Sequence, residues 1–569
     1  MASNQLTNLP TIYINTDNHV AVTSKDVYVK GMLQVVADTA MEKGLYYDSV
    51  EIRGRGNSSW NWAKKPYRLK LADDYHLLGM PAGENSWVLL ANYADKTLMR
   101  NALAFKISQL CGMYFTSAYR YVDLVLNGKS LGNYMVTDQM ERGKHRVNIE
   151  KLEETDTELP NVSGGYLLEV DGFGVTGSIE TGASFPEAFT SKLGNIVSIK
   201  YPKDDEIVAA QRNYIINQYN LFEQAVMSFT TGKDSLSKLT RYLDVDAFAN
   251  WYIATELTAN PDCLWSIYLK KHRNDDRFYF GPLWDNDISF GNCNRLYSVA
   301  SDGRAESVLV RCFSNNMAKT LVKKILTVPE VQQRIADRWK VIKPGFKDSL
   351  YKLIDTTAIL LDASQKKNYQ IWPVLNTVVY NELAARGTYA VEVSYLRSYT
   401  GDRVNYLDGF FTAMGKTTPV DTINDPGVLF YPQSNMLYYL QCQNDKYLMS
   451  EAYGNGYRLT ASTTLPADLA TAQFEVTYTK TAGKPAYYFL RNKACNKYVY
   501  FKDTTGSVWL DATNKTTFEL YVSPNEANHY GLMAVSSITG MNGKGIDCNN
   551  GSSVVIWPTA NKKGQREYQ

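Results

Sequence analysis

The 569-residue sequence is poor in the side chains that build metal and disulfide frameworks, with only seven cysteines and five histidines. The cysteines lie far apart and contain no Cys-x-x-Cys pair, which argues against both a zinc ribbon and a dense disulfide scaffold. The histidines are equally scattered, so a multi-histidine metal centre is not expected.

The sequence also has no excess charge of one sign, since 60 lysines and arginines face 58 aspartates and glutamates. This balance offers no support for a nucleic-acid partner. No run of about 20 apolar residues exists, so we expect no transmembrane segment. The first residues lack a basic start followed by an apolar core, so no signal peptide is predicted.

What the sequence has in abundance is tyrosine, with 41 residues, and a globular apolar fraction of 44%. This length exceeds the usual size of one domain and predicts two to four of them. The tyrosine content suggests a surface-displayed or secreted protein that meets sugars or other proteins.

The pattern along the chain predicts three regions. Residues 9–170 alternate at period two and predict a β-rich part, with a hairpin turning at Asn127-Gly128 and an interrupting helix from Thr97 to Leu110. From about residue 205 to 416 the period changes to 3.6, which predicts helices. Breaker-rich residues 417–427 predict a linker, followed by short strands in 428–569 that repeat at roughly 40–50 residues.

A glycine-rich stretch, Arg53–Ser59, precedes Lys64-Lys65 and a strand in which Arg68 and Lys70 share one face. Glycines let backbone N–H groups approach an anion, and the cations supply countercharge, so this stretch could cradle a phosphate. A tight surface turn with solvated cations is the alternative that these residues leave open.

Two further stretches place aspartates among large apolar residues: Asn260–Ser266 and Trp284–Gly291. A buried aspartate is costly unless it binds a metal, pairs with a cation or caps a backbone. Asp285 and Asp287 alternate along an extended segment and can point the same way, as ligands of magnesium or manganese would. The alternatives are that Asp287 caps the following turn and that Asp262 initiates a loop. Asp95 is expected to cap a helix starting at Lys96.

Taken together and in order, these stretches resemble the CotH kinase family, named for a spore-coat protein. The matching segments, spread over residues 9–415, are Arg55–Trp60, Lys64–Leu71, Trp87–Asn101, Leu126–Gly128 with Gly132–Tyr134, Asn260–Ser266 and Trp284–Gly291. The resemblance implies an α+β chain with an atypical protein-kinase-like domain at 9–416, whose β-rich lobe is 9–170 and whose helical lobe is 171–416.

The resemblance also implies ATP-dependent phosphorylation of a protein with Mg²⁺ or Mn²⁺, and it assigns roles to individual residues. Asp262 takes the place of the catalytic aspartate that orients the acceptor hydroxyl, and Asp285 that of the metal-binding aspartate. The full expected set is catalytic Asp262 and Asp285; metal-binding Asp285, Asp287 and Ser266; and nucleotide-binding Arg53, Arg55, Asn57, Ser58, Arg68 and Lys70.

One position departs from the family pattern. An asparagine is common after the catalytic aspartate as a second metal ligand, whereas Trp265-Ser266-Ile267 offers only the hydroxyl of Ser266. The alternative function is therefore an inactive kinase-like adhesin or scaffold that binds a carbohydrate or a protein. Glycoside hydrolysis by paired carboxylates is a third and weaker hypothesis.

The last 142 residues, 428–569, resemble a ricin-type β-trefoil lectin. Ile546–Ser552, Ile556-Trp557 and Gln565-Arg566-Glu567 resemble the last repeat of that family, with Glu567 where tryptophan is usual. The resemblance implies glycan binding by Asp547, Asn549 and Trp557, and a secreted or surface-displayed protein. A trefoil that serves only as a protein-binding or spacer module is the alternative.

Overall fold

The structure is a computed structural model, and it describes most of the chain. The described residues are 4–38, 43–171, 188–230, 232–299, 301–312, 316–415, 436–440, 447–462, 464, 466–479, 487–501, 508–522, 530–535, 544–548 and 554–558. The chain divides into two compact units, Met1–Val420 and Asp421–Gln569. This division falls within the segment 417–427, which the sequence predicts as a linker.

The first unit begins with a closed β-barrel. Its strands are β1 (Thr11–Thr16), β2 (Val29–Asp38), β3 (Lys43–Gly54), β4 (Tyr67–Tyr75), β5 (Glu84–Leu90), β6 (Tyr119–Leu126) and β7 (Lys129–Asp138). Neighbours pair in the order β1-β2-β3-β4-β5-β7-β6, and the parallel pairing of β1 with β6 closes the barrel. Inward side chains such as Ile12, Leu33 and Leu69 are fully buried, so the barrel holds its own apolar core.

Local sequence signals of this barrel are confirmed. Strands β6 and β7 form the predicted antiparallel hairpin, and its turn residues Asn127 and Gly128 both have positive φ, at 50° and 77°. Along β4, Leu69 and Leu71 are buried whereas Lys70 is exposed, as the period-two pattern predicts. Alternation alone therefore locates the outer face that carries Arg68 and Lys70.

A second sheet follows the barrel, and it changes the predicted lobes. Its strands are β8 (Tyr166–Val170), β9 (Ala188–Thr190), β10 (Ile196–Tyr201), β11 (Ile267–Lys271) and β12 (Phe278–Phe280). They pair in the order β12-β11-β8-β10-β9. Strand β8, at the end of the region 9–170 predicted as the β-rich lobe, lies in the middle of this sheet, because its neighbours come from up to about 100 residues later.

The helices of the first unit follow the predicted 3.6-residue period, with shifted ends. They are α1 (Arg100–Leu110), α2 (Ala209–Met227), α3 (Lys233–Thr240), α4 (Val245–Thr258), α5 (Val308–Arg311), α6 (Asn316–Leu326), α7 (Pro329–Ile342), α8 (Phe346–Ile371) and α9 (Tyr389–Met414). None of the helices in the described part of the chain is both long and apolar enough to cross a lipid bilayer.

Helix α1 starts at Arg100 and not at Lys96, and its N-cap residue is Met99, so the prediction that Asp95 is the cap of a helix starting at Lys96 is wrong. Asp95 instead holds the turn that precedes the helix. The carboxylate accepts hydrogen bonds from the backbone N–H of Thr97 at 2.9 Å and of Arg100 at 2.7 Å. The side chain of Lys96 is buried and forms an ion pair with Glu382. Residues 96–99 therefore form a capped turn that leads into the helix.

Lys271, on β11, makes the stability of this unit depend on pH. The side chain is fully buried, it donates to the carbonyl oxygens of Ser163 and His272, and burial lowers its pKa from 10.5 to about 8. Between pH 8 and 10.5 the Lys271 ammonium group therefore holds its proton in the unfolded chain but loses it in the folded protein. In this interval the free energy of unfolding increases with pH, by up to about 1.4 kcal/mol per pH unit.

We therefore expect the unfolding free energy of the wild type, measured relative to Lys271→Met, to increase by about 1 kcal/mol between pH 8.5 and 9.5. Denaturant titrations at the two pH values measure this difference. Because Lys271→Met contains the same tyrosines and other titrating groups as the wild type, taking the difference between the two unfolding free energies removes their contribution. A difference that stays constant over this interval would contradict the assignment.

The second unit consists of short strands in the part that the structure describes. They are β13 (Met436–Tyr439), β14 (Tyr447–Tyr453), β15 (Gly456–Ser462), β16 (Gln473–Thr479), β17 (Tyr487–Asn492), β18 (Lys497–Tyr500), β19 (Trp509–Asp511), β20 (Thr517–Val522), β21 (Tyr530–Val535), β22 (Lys544–Cys548) and β23 (Val554–Pro558). All pair within one continuous sheet. The all-β character agrees with the sequence pattern, and the trefoil arrangement stays a prediction.

Candidate active site

The loop Asn260–Ser266 follows the end of α4, where Ala259 takes the left-handed conformation at φ 47° and redirects the chain. The Asn260 side chain fixes this loop from within, because its Oδ1 accepts from the Asp262 N–H at 2.9 Å. Its Nδ2 donates to the carbonyl oxygen of Asp285 at 3.0 Å. One carboxamide thus joins the two aspartate-bearing loops that the sequence singled out.

The second loop, Trp284–Gly291, follows β12 and is anchored from three sides. The Asn286 N–H donates to Oδ1 of Asn101 at 2.8 Å, and Phe290 N–H donates to the carbonyl of Thr258 at 2.8 Å. Ile288 packs against Ala94 and Cys293 in a small apolar cluster. Asp285 has a φ of 58°, which is strained for a residue with a side chain and held by these anchors.

The carboxylates of these loops are brought together in one cleft. The side chain of Asp285 is exposed to solvent, and that of Asp287 is half-buried. The surrounding protein raises the pKa of Asp285, and Arg55 opposes this rise while Asp262 adds to it. The pKa of Asp287 is raised well above its usual range. Burial is the largest cause, and the negative charges of Asp285, Asp95 and Asp262 add to the rise.

Two arginines face these carboxylates from the barrel. Arg55, just beyond the end of β3, interacts electrostatically with Asp285 and Asp287 and lies over the Trp284 ring at 5.7 Å. Burial lowers its pKa, and the positive charge of Arg68 contributes to that lowering. Arg68 pairs with Glu141 at 3.7 Å, and its Nε is buried without a hydrogen-bond partner among the residues that the structure describes. Arg55 and Arg68 are therefore the predicted nucleotide-binding cations that approach the cleft from the barrel side.

The structure places the other predicted nucleotide-binding residues away from this point. Arg53 donates to the carbonyl of Lys25 at 2.7 Å and stacks on Tyr28. Asn57 is exposed, and the exposed Ser58 accepts a hydrogen bond from the Tyr380 hydroxyl at 3.3 Å. Lys70 is exposed on the outer face of β4 and forms no ion pair with the described residues.

The glycine-rich stretch and the first lysine of the following pair have structural partners. A Cβ on Gly54 would come within 2.4 Å of the Trp60 ring, so this glycine allows the indole to pack against the backbone. Lys64 is fully buried and donates to the carbonyls of Ala91 and Asn133 and to Oδ1 of Asn368. These features favour the reading of Arg53–Ser59 as a packed turn, with Arg55 as its cation toward the cleft.

Ser266 lines the same cavity as Asp262, together with Asn260, Trp284 and Asn286. Cys263, next to Asp262, is buried, and its thiol is hydrogen-bonded to that of Cys312. This contact, together with burial, raises the pKa of Cys263 well above its usual range. Cys263 is thus packed in the thiol form, whereas the hydroxyl of Ser266 lies at the cavity wall.

One functional candidate was missed by the sequence analysis. Nη2 of Arg295 lies 2.7 Å from both carboxylate oxygens of Asp262, and the two side chains are 36% and 28% exposed. Arg295 belongs to no recognised motif, and its position beside Asp262 depends on the path of the loop after Gly291. The contact holds the Asp262 carboxylate in one orientation at the edge of the cleft.

The donor set fits a hard divalent cation held jointly with an anionic ligand. Asp287 is crowded by three other carboxylates and forms no ion pair within the described residues, although Arg55 acts on it electrostatically. A bound cation would therefore relieve an unfavourable arrangement. Over those same residues, no group of three histidine, cysteine, aspartate or glutamate side chains forms a complete metal site. Two carboxylates with open positions suit Mg²⁺ that also binds phosphate oxygens.

The predicted carbohydrate-binding residues lie in the second unit. Asp547 is part of β22 and Trp557 is part of β23, whereas Asn549 lies outside the described residues. Their role in binding a glycan stays a prediction.

Comparison with known proteins matches the region that contains this cleft. The family model described as CotH kinase protein matches residues 52–407, which is more than half of the chain. The matched region includes Arg55, Arg68, Asp262, Asp285 and Asp287. No curated protein matches the chain.

Proposed function

Because the chain belongs to the CotH kinase family, we propose that it transfers the γ-phosphoryl group of ATP to a hydroxyl group of a protein, with the help of Mg²⁺ or Mn²⁺. The acceptor oxygen forms a bond to the γ-phosphorus, and the bond from that phosphorus to the β–γ bridging oxygen breaks. ADP leaves, and the hydroxyl proton passes to the catalytic carboxylate or to water.

Asp262 orients the acceptor hydroxyl in this proposal. Its carboxylate lies at the edge of the cleft, is held by Arg295 and lines the cavity together with Ser266. An aspartate so placed can accept a hydrogen bond from the incoming hydroxyl and direct its oxygen. Positioning, more than proton abstraction, is the main requirement of phosphoryl transfer.

Asp285 and Asp287 would hold the divalent cation, and the Ser266 hydroxyl is the third ligand that the resemblance to the family implies. When bound, this cation neutralises charge on the phosphate oxygens. Arg55 and Arg68 add positive charge from the barrel side of the same cleft. The observation that carries the proposal is this convergence: three aspartates from two loops, and cations from the barrel.

Thermal unfolding with nucleotide tests the proposal. We expect the transition of the full chain to rise by several degrees with Mg²⁺-ATP or Mn²⁺-ATP, because a ligand at about 100 times its Kd adds about 2.7 kcal/mol. ATP with EDTA should give a smaller shift. Transfer of ³²P from [γ-³²P]ATP to protein acceptors then measures turnover. No shift up to millimolar nucleotide would favour the non-catalytic adhesin or scaffold.

Arg55 and Lys70 provide a matched pair of barrel cations for a second test. We expect Arg55→Met to raise the KM for ATP at least about tenfold, since Arg55 faces Asp285 and an ionic contact to phosphate is removed. Lys70→Met should leave the KM within about twofold, because Lys70 is exposed on the strand face. The reverse outcome would restore Lys70 as the phosphate-binding lysine.

Arg295 should act on kcat more than on the KM for ATP. Removing the guanidinium in Arg295→Met frees the Asp262 carboxylate to rotate, and a misplaced catalytic group costs about 100-fold. Steady-state kinetics with free guanidinium added should restore part of the rate. Arg397→Met is the matched control, because its ion pair with Asp355 is exposed. An unchanged kcat in Arg295→Met would exclude this role.

The proposal includes a secreted or surface-displayed location. The tyrosine-rich composition and the resemblance of residues 428–569 to a lectin support it. Fractionation of producing cells, followed by detection of the chain with an antibody, would test this location.

A further inference from the structure

Two buried cysteines from distant parts of the first unit lie in contact beside the candidate active site. Cys263 follows Asp262 in the loop after α4, and Cys312 follows the last residue of α5. Both side chains are buried, and neither forms a disulfide bond in the structure. A hydrogen bond joins their thiols. The fold thus brings together two sulfur atoms that stand about 50 residues apart in the sequence.

The hydrogen bonds of the two thiols show how the sulfur atoms face each other. The Cys312 thiol donates to the carbonyl oxygen of Pro261 at 3.3 Å. Because a thiol has a single proton, the hydrogen bond between the two cysteines is donated by Cys263 and accepted by the sulfur of Cys312. The two sulfur atoms are therefore in direct contact, which is the arrangement from which a disulfide bond forms.

Backbone contacts hold both cysteines in place. The N–H of Cys263 donates to the carbonyl of Asn260 at 3.1 Å, and the N–H of Cys312 donates to the carbonyl of Val308 at 2.7 Å. The Glu256 carboxylate of α4 accepts from the N–H of Val308 at 2.9 Å, so α5 is fastened to the helix that precedes the Cys263 loop. The contact between the thiols is therefore a fixed feature of this part of the fold.

The two sulfur atoms differ in their access to solvent. Cys263 lines the cavity that also contains Asp262 and Ser266, whereas Cys312 is fully buried. A solute as small as hydrogen peroxide that enters this cavity meets the Cys263 sulfur first. Lys319 of α6 is buried and interacts electrostatically with both sulfur atoms. A cation beside a thiol stabilises the negative charge that sulfur develops when it reacts as a nucleophile.

We propose that Cys263 and Cys312 are an oxidisable pair that hydrogen peroxide converts into a disulfide bond. The sulfur of Cys263 attacks one peroxide oxygen, the O–O bond breaks, and the other oxygen leaves as water with the thiol proton. The sulfur of Cys312 then attacks the sulfenic acid at Cys263, the S–O bond breaks, and a second water leaves with the Cys312 proton. The two thiols together lose two electrons, and the peroxide is reduced to two water molecules.

The bond joins the loop that carries Asp262 to the segment that follows α5. A cross-link that closes a loop of about 50 residues restricts the unfolded chain and so stabilises the folded one. The oxidising surroundings of a secreted or surface-displayed protein would favour the bond. The oxidisable pair does not depend on phosphoryl transfer, so its chemistry can be tested whether or not the chain is an active kinase.

Mass spectrometry of the full chain tests the proposal. The chain is reduced with dithiothreitol, freed of reductant, treated with an excess of hydrogen peroxide, alkylated and digested with trypsin. Trypsin places Cys263 in peptide 242–270 and Cys312 in peptide 312–319, each without a second cysteine. We expect these two peptides to be joined, and dithiothreitol to separate them. The unfolding transition of the oxidised chain should lie a few degrees above that of the reduced chain.

Two variants provide the controls. Cys312→Ala removes the second sulfur, so peroxide should produce neither the joined peptides nor the rise of the transition. Cys111→Ala removes an equally buried cysteine of the first unit and should leave both effects unchanged. The oxidised and reduced wild type decide the question by themselves where a variant fails to fold. The proposal is wrong if the oxidised wild type contains no joined peptides, if Cys263 is instead bonded to another cysteine, or if dithiothreitol does not reverse the rise.

Discussion

Replacing Asp285 by alanine is expected to abolish phosphoryl transfer, with a loss of about 10³-fold or more in kcat/KM. The variant removes one of the two carboxylates that face the cation site, and Arg55 then loses its principal negative partner in the cleft. The nucleotide-dependent thermal shift should fall to the level seen with ATP and EDTA. Transfer of ³²P and thermal unfolding measure the two effects.

The fold should tolerate this change. Asp285 is open to solvent, and the surrounding protein together with Asp262 raises its pKa despite the attraction of Arg55. The ionised carboxylate is therefore a net cost to the folded state, and its removal should not destabilise the fold. Without nucleotide, the unfolding transition of Asp285→Ala should stay close to that of the wild type. Asp355→Ala, which removes an exposed carboxylate at 52% exposure, is the matched control and should keep full activity. Retained transfer in Asp285→Ala would refute the site.

Features set by neighbours in sequence could be predicted. The Asn127-Gly128 turn needs positive φ at both positions, and the alternation of β4 reports which face is buried, so both follow from local chemistry. The proximity of Asp262 to Asp285 could also be expected, because each aspartate stands among large apolar residues in a segment that resembles a family motif. These are properties that a short segment carries by itself.

Features set by distant contacts could not be predicted in this way. Strand β8 pairs with β11, about 100 residues later, so its place in a second sheet is invisible in its own pattern. Arg295 reaches Asp262 through the path of an irregular loop. Lys64 looks like a surface cation in sequence, yet Asn368 of α8 supplies one of its acceptors inside the protein. Tertiary structure decides which cations are buried and which face the cleft.

Asp95→Ala is expected to have the largest effect on stability, about 3–5 kcal/mol. Its carboxylate and the Arg100 guanidinium form an ion pair at 2.5 Å, and both side chains are fully buried. The same carboxylate accepts from the N–H and hydroxyl of Thr97 and from the N–H of Arg100. Its removal leaves the buried guanidinium without its ion-pair partner and also removes the acceptor of the first N–H group of α1. Denaturant titration measures the loss.

The Asp95 variant should lose activity as well, because Arg100 links this ion pair to the cleft. Nε of Arg100 donates to the carbonyl of Ser289 at 3.2 Å, two residues beyond Asp287. Without Asp95 the Arg100 guanidinium should move toward solvent and lose its hydrogen bond to Ser289. The loop that carries Asp285 and Asp287 would then be less firmly held. Asp355→Ala breaks an exposed pair at 3.0 Å and should cost at most about 1 kcal/mol with no change in kcat. Equal losses of unfolding free energy in the two variants would show that burial of the Asp95–Arg100 ion pair adds nothing to stability. A large loss of stability with full activity would show that this ion pair does not position the loop that carries Asp285 and Asp287.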